Sequence, residues 1–359
     1  MLSSPLAKPQ TEAGATLAEA HGWTVAWSYA GLEREYEAAT ERAGLVDRTP
    51  AGRLKLAGDD CLNLLNRLTT NDLTGLTSDG QGTASVLTSN KGRILDLLIV
   101  LAQSDGLLVV TSPQNRRKVA DWIDFYTIMD DVTVHDETEE TAMISVIGPA
   151  AVVLLDSLTG GRVSSLSRFG HLRVEVDGTE TRLGRTDFAG VPGYDLVVPE
   201  ASGERLWATL FERGAEVEIS PVGAEALEAV RIRHGVPAYD KELTEERNPL
   251  EANLTEFISF NKDCYIGQEV VARLNTYEKV QRHLVGLSWD PGRGLGSGAL
   301  FADGKRVGEV TSAARVPGMS RAVGLGYARN AHTDPGTTLT MDSEDGDATA
   351  TVEELPFKP

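Results

Sequence analysis

The chain has 359 residues and only two cysteines, Cys61 and Cys264. Two thiols far apart in sequence cannot build a disulfide framework. They also cannot supply the four thiolates of a self-contained iron–sulfur cluster. Such usage fits a reducing cytosol, so a cytoplasmic location is expected. Histidine is scarce as well. His21, His135, His171, His234, His283 and His332 form no H-x-x-x-H pattern and there is no C-x-x-C, so no metal site is expected. Positive charge is in deficit: 34 Lys and Arg stand against 53 Asp and Glu, a formal net charge of −19. Nucleic acid needs clustered cations and is excluded as a partner. The acidity itself is read as a device for solubility. No run of about 18 apolar residues exists, so no membrane span is expected. The start, Met1-Leu-Ser-Ser-Pro5, lacks the charged and apolar blocks of a signal peptide. G-x-G-x-x-G, Walker A and G-x-S-x-G are all missing, which removes the common nucleotide-binding and hydrolase readings.

What remains is an ordinary globular composition, 41% apolar and 24% charged, with length for two or three domains. Residues 1–50 read as mostly helical, with Leu32, Tyr36, Ala39, Ala43 and Leu45 at roughly helical spacing. Gly52 to Leu56 alternates like a strand. Gly58-Asp-Asp opens a helix on which Cys61 is expected to pack beside Leu62, Leu65 and Leu68. Strands are expected at 82–87, 93–101, 106–111, 142–147, 172–177, 181–186 and 195–198. Helices are expected from Ser112-Pro113 to about Ile128, and at 149–157, 201–213 and 222–234. The mixture lacks a regular βαβ repeat and reads as α+β. After Gln281 short alternating segments are divided by Gly, Pro, Asp and Asn, the pattern of a small all-β barrel or sandwich. The expected division is a body over 1–280, of two subdomains, and a C-terminal β-barrel over 281–359.

Lys262-Asp-Cys264-Tyr265-Ile-Gly267-Gln268-Glu269 is the most informative segment. A thiol reacts as thiolate. A nearby cation and a helix N-terminus both favour that form and can lower its pKa from about 8.5 to roughly 3.5–7.5. The alternative is an inert cysteine beside a turn.

Four stretches together resemble the family of the glycine-cleavage T-protein, an aminomethyltransferase, and within it the YgfZ-type folate-binding branch. Gly52 to Asp59 followed by Leu68-Thr-Thr-Asn-Asp-Leu73 is similar to the family's opening strand and helix. Asn90-Lys-Gly-Arg-Ile-Leu-Asp96-Leu97-Leu-Ile-Val100 is similar to the strand bearing the transferase's acid. Val307 to Ser312, Gly324 to Ala328 and Pro356-Phe357 are similar to its terminal barrel. Lys262 to Glu269 is similar to the K-G-C-Y-x-G-Q-E signature of the YgfZ branch. That signature's Gly is Asp263 here. Gly would permit positive φ, which Asp also tolerates, and the added charge would oppose thiolate formation.

The resemblance implies three domains ringing a channel, tetrahydrofolate or a one-carbon derivative as cofactor, and a role in assembly or repair of iron–sulfur enzymes. Those enzymes or their assembly factors would be partners. The rival it also implies is a folate-dependent aminomethyltransferase or demethylase; a third reading is an adaptor without catalysis. Asp96 matches the first Asp of the T-protein's D-D pair and Leu97 the second, so Asp96 is the candidate acid beside the cofactor. Alternatively it is a strand-end Asp bonded to backbone. Arg185 to Asp195 is similar to R-T-G-Y-T-G-E-x-G-x-E, which makes Phe188 and Asp195 pterin contacts, or else core and surface. Leu227 replaces the Arg that contacts the cofactor, and Arg231 matches a second Arg of that helix. Cys264 is the candidate nucleophile. Lys262 and Tyr265 are candidate cofactor contacts, Lys262 within a basic cluster with Arg273, Lys279 and Arg282 that either holds an anion or is solvated surface. Asp96, Phe188 and Asp195 are expected to line one cavity, with Cys264 facing the same opening.

Overall fold

The computed structural model describes residues 1–277, 279–295, 298–342 and 346–358. The first fifty residues are not mostly helical. Strand β1 (Leu2–Ser3), helix α1 (Ala7–Glu12), β2 (Thr16–Ala20) and β3 (Trp23–Ser28) precede helix α2 (Leu32–Glu41), and the strands form a sheet in the order β1-β3-β2. The reason is the turn. His21 and Gly22 both take positive φ, 56° and 77°, between the paired residues Ala20 and Trp23. Two such residues make the hairpin turn whose twist matches paired strands.

The body then interleaves two sheets. Strand β4 (Gly44–Asp47) belongs to the first. The chain crosses to the second for β5 (Gly52–Ala57), α3 (Cys61–Leu68), β6 (Gly82–Thr88), β7 (Ile94–Gln103), β8 (Gly106–Thr111), α4 (Arg116–Tyr126) and β9 (Thr133–Asp136), giving the order β6-β7-β8-β5-β9. It returns for β10 (Thr141–Ile147), α5 (Ala151–Thr159), β11 (His171–Val176), β12 (Thr179–Arg185), β13 (Gly193–Pro199), α6 (Gly203–Arg213), β14 (Ser220–Pro221) and α7 (Ala224–Arg233). The first sheet is then β11-β12-β13-β10-β4-β14. Each sheet buries its own core against its helices. Cys61 is in the core of the five-stranded sheet, 6% exposed. Among the described residues, no helix is long and apolar enough to cross a membrane.

After α8 (Gln268–Thr276) the chain forms β15 (Arg282–Trp289), β16 (Ala299–Ala302), β17 (Lys305–Arg315), β18 (Ala322–Arg329), β19 (Thr338–Met341) and β20 (Ala348–Glu353). They close as a six-stranded barrel, β15-β18-β17-β16-β19-β20, filled by Trp289, Leu287, Leu300 and Met341. The fold is thus α+β with a terminal barrel, as expected. Strands β9 and β16 lie outside the segments expected from the sequence to be strands.

The two crossovers between sheets run side by side, at 48–51 and 137–140. Arg53, 0% exposed, ties them. Its guanidinium donates to the carbonyls of Thr49, Ala51, Thr138 and Thr141 and to Thr141 Oγ1. Burial lowers its pKa to about 10, so it remains charged at neutral pH. Arg53→Met should destabilise the fold by about 3 kcal/mol or more, since each buried acceptor left without a donor costs roughly 1–3 kcal/mol. Arg53→Lys, which keeps three donors, should fall in between. Urea unfolding of the three proteins measures this, and equal midpoints would show that the latch contributes nothing.

Candidate functional site

A cavity of about 430 Å³ opens between the sheets and the chain that leads to the barrel. Its floor is apolar: Leu97 and Ile99 from β7 and Val110 from β8. Its walls come from Phe169, the 186–190 loop, residues 234–239 and residues 252–257. A second cavity of about 330 Å³ shares Arg48, Pro113 and Phe188 with it, and His21 at the hairpin tip lines both. Two arginines lie over aromatic rings on these walls. The Arg48 guanidinium carbon is 3.7 Å from the Phe188 ring centre. Arg168 is 4.8 Å from that of Phe169 and 5.5 Å from that of Phe257, and pairs with Glu256 at 2.8 Å. Gln114 Oε1 is buried without a hydrogen-bond partner on the same wall.

Of the residues singled out from sequence, Phe188 lines this cavity; Asp96 and Asp195 do not. Successive strand residues face opposite ways. Leu97 faces the cavity, so Asp96 faces the other side, 0% exposed. It accepts from Ser112 N at 3.0 Å, Ser112 Oγ at 2.7 Å and Leu97 N at 2.9 Å. Its geometry is that of a brace for the 112–115 segment, not of an acid beside a ligand. Asp195, 4% exposed, accepts from Arg48 Nη1 at 3.1 and 3.0 Å, from Thr186 Oγ1 at 3.1 Å and from Ser145 Oγ. It reaches the cavity only through Thr186 and through Arg48, which it holds over Phe188. Arg48 escaped the sequence reading. Its signal, a lone Arg after β4, becomes meaningful only when β13 is laid beside β10 and β10 beside β4.

Arg231 lines the second cavity, but its donors are consumed. They go to Glu228 twice, Glu242, the Val236 carbonyl and Ser312 Oγ. A guanidinium has five N–H groups, so none is left for a cofactor. Glu242, itself 0% exposed, also accepts from Ala238 N and from Thr311 and Ser312 of β17. The pair therefore joins α7, the connecting loop and the barrel.

The octapeptide lies apart from the central cavity; Lys262, Cys264 and Tyr265 are not among its lining residues. Lys262 Nζ donates to the carbonyls of Asn66, Thr69 and Asn71 at 2.7, 2.9 and 2.5 Å. It thus serves the carbonyl-rich end of α3, where helical carbonyls lack intrahelical donors. It is not free to hold an anion, and desolvation pulls its pKa down to about 8. Tyr265 is buried at 7% exposure, and desolvation pushes its hydroxyl up to about 12. Cys264 is exposed. Asp263 does not take positive φ; Gly267 does, at 87°, and a Cβ there would meet Ser89 O at 2.5 Å. That glycine lets the segment dock on the turn before β7. Among the described residues, no three His, Cys, Asp or Glu gather as a metal site.

Burial raises the Asp96 pKa from 3.8 to about 6, against the pull of its bonds to Ser112. A raised folded pKa gives stability that is complete below the unfolded value and lost as pH rises through the folded one. Between pH about 3.5 and 7.5 the protein should lose about 3 kcal/mol more stability than Asp96→Asn. Parallel pH–stability curves from denaturant titration would show that Asp96 keeps its ordinary acidity.

Two family descriptions cover nearly the whole chain. "GCVT N-terminal domain" matches residues 6–262 and "Glycine cleavage T-protein C-terminal barrel domain" matches residues 282–358. An aminomethyltransferase of Rubrobacter xylanophilus is 34% identical over 327 residues, 90% of this chain and 86% of the relative. One from Saccharopolyspora erythraea is 30% identical over 364 residues, 99% of each. The glycine cleavage system aminomethyltransferase T of Bartonella henselae, a crystal structure, superposes with a TM-score of 0.88 at 22% identity, over 99% of this chain and 98% of that one, and so shares the fold. With the interleaved sheets, the terminal barrel and matches over both parts, this chain belongs to the glycine cleavage T-protein family.

Proposed function

We propose that the central cavity binds tetrahydrofolate and that the protein is a folate-dependent one-carbon protein of the aminomethyltransferase type, the name its relatives carry. The observation that carries this reading is the slot itself: a flat apolar floor of Leu97, Ile99 and Val110 faced by Phe188 under Arg48. A planar heteroaromatic ring needs such a slot, with a few polar groups at its edge. Gln114 Oε1, buried and without a donor, suits a ring N–H. Thr186, Asp187 and Asn253 lie on the same wall, and the volume of about 430 Å³ is in the range of small-molecule sites.

Bound folate would supply the carrier nitrogens for the one-carbon unit. The chain's part is to bind and orient it: Asp195 fixes Arg48, Arg48 lies against Phe188, and Asp96 keeps the Ser112–Asn115 wall in place. Leu97 puts a hydrocarbon where the family's second Asp would face the cavity. Proton transfer at a bound one-carbon unit then falls to His21, Asp187, His234, Tyr239 or Glu256, titratable groups of the wall. Calorimetric titration with tetrahydrofolate tests the binding. Arg48→Met and Phe188→Ala should each weaken it about tenfold, the scale of a desolvated cation–π contact near 1–2 kcal/mol. Absence of saturable binding would end the folate reading.

A second reading rests on Cys264. We infer that an exposed thiol on a separate surface, with no cavity carboxylate from β7, suits the YgfZ-type role in supporting iron–sulfur enzymes. The thiol would act as a nucleophile or single transient ligand. The two readings part experimentally. Methylene-tetrahydrofolate formed from an aminomethyl donor with release of ammonia, a transfer without change of oxidation state, favours the first reading when it is unaffected by Cys264→Ser. Loss of iron–sulfur enzyme activity in cells carrying Cys264→Ser, with tetrahydrofolate affinity unchanged, favours the second.

A further inference from the structure

Where the barrel meets the body, a pocket of about 290 Å³ is lined by Arg282, Arg306, Arg329, Glu246, Glu309 and Tyr327. Arg282 on β15 and Arg329 on β18 are direct antiparallel partners, so their side chains leave the same face. Like charges so placed repel each other. Among the described residues, nothing neutralises them: neither guanidinium has a hydrogen bond or ion pair. Among those residues the Glu246 carboxylate, on the same wall, has no hydrogen bond or ion pair either, and the remaining charges are paired. Glu309 is shared between Arg306, at 2.6 Å, and Arg247 on its other oxygen. The Tyr327 hydroxyl donates to the Glu242 carbonyl, and its ring lies 4.1 Å from the Arg247 guanidinium. Counting Arg247, four guanidiniums surround two carboxylates, in a chain whose net charge is −19.

Paired, unsatisfied guanidiniums in a concave wall match the geometry of carboxylate and phosphoryl groups, to which arginine donates in fork-like pairs. The field of the whole acidic chain repels anions, so only close contact with both arginines offsets it. We propose that this junction pocket is a second binding site, for a small oligo-anion with two or more carboxylate or phosphoryl groups held between Arg282 and Arg329 beside Arg306. Two sources have this chemistry: an oligo-γ-glutamyl chain and a free phosphoryl anion. The site stands independently of the folate reading. It shares no lining residue with the central cavity, although Asn253 of that cavity donates to the Leu284 carbonyl at 2.8 Å, two residues from Arg282.

The test is calorimetry on the full chain, with pyrophosphate and tri-γ-glutamate as separate probes at about 20 mM salt. One of them should bind saturably. Binding should weaken at least tenfold in the R282Q/R329Q variant, recover in part in R282K/R329K, and weaken when salt is raised to about 200 mM. Selective binding of tri-γ-glutamate assigns the chain; selective binding of pyrophosphate assigns the phosphoryl anion. Thermal unfolding without ligand checks that the variants are folded. If the double variant is not, R329Q alone carries the test, because Arg329 is exposed. No saturable binding of either probe, or equal affinity in the glutamine variants, overturns the proposal. Neither probe contains a pterin, so failure of folate binding in the central cavity leaves this result standing.

Discussion

Arg53 is the group on which the body's arrangement rests. The chain leaves one sheet after β4 and re-enters it at β10, so two crossover segments must run together through the interior. Their carbonyls point inward, away from water. A neutral side chain offers at most two donors; a guanidinium offers five in a fixed plane. No carboxylate hydrogen-bonds Arg53, so its charge is dispersed over four carbonyls and a hydroxyl. Around it Ala51, Val110, Met143 and Val197 pack the seam between the sheets. The central cavity exists because this seam holds β7 and β8 opposite the 186–190 loop.

The same economy of polar groups runs through the site. Asp96, Asp195, Arg231 and Lys262 are each largely buried, and each is satisfied by the protein itself. A buried charge without partners is costly, so the fold surrounds each with donors or acceptors. They brace, respectively, the Ser112 segment, Arg48, the barrel connection and the end of α3. The groups left to meet a ligand are mostly hydrocarbon, aromatic faces under arginines, and one orphan amide oxygen at Gln114.

The octapeptide and the cavity are two surfaces on one scaffold. Gly267 packs the octapeptide onto the turn before β7 and Lys262 onto the end of α3, so the same five-stranded sheet underlies both. Cys264 is left exposed by that docking. The thiol and the cavity therefore lie on separate surfaces with no lining residue in common.

The sequence alone determined the α+β class, most strands, the barrel after residue 281 and the packing of Cys61, because these follow from local alternation and helical spacing. Its motifs also pointed to the family. It did not reveal the N-terminal hairpin, since His21 is an uncommon residue at positive φ. Nor did it tell which polar residues face a ligand. Asp96 and Leu97 are neighbours in sequence and opposite in space, and only the pairing of β7 with β6 and β8 decides which one meets the cavity. Arg48 and Asp195 are far apart along the chain and meet because β10 lies between β4 and β13. Sequence lists the charges; tertiary structure decides which of them are consumed by the fold, because a buried charge takes its partners from whichever strands are brought beside it.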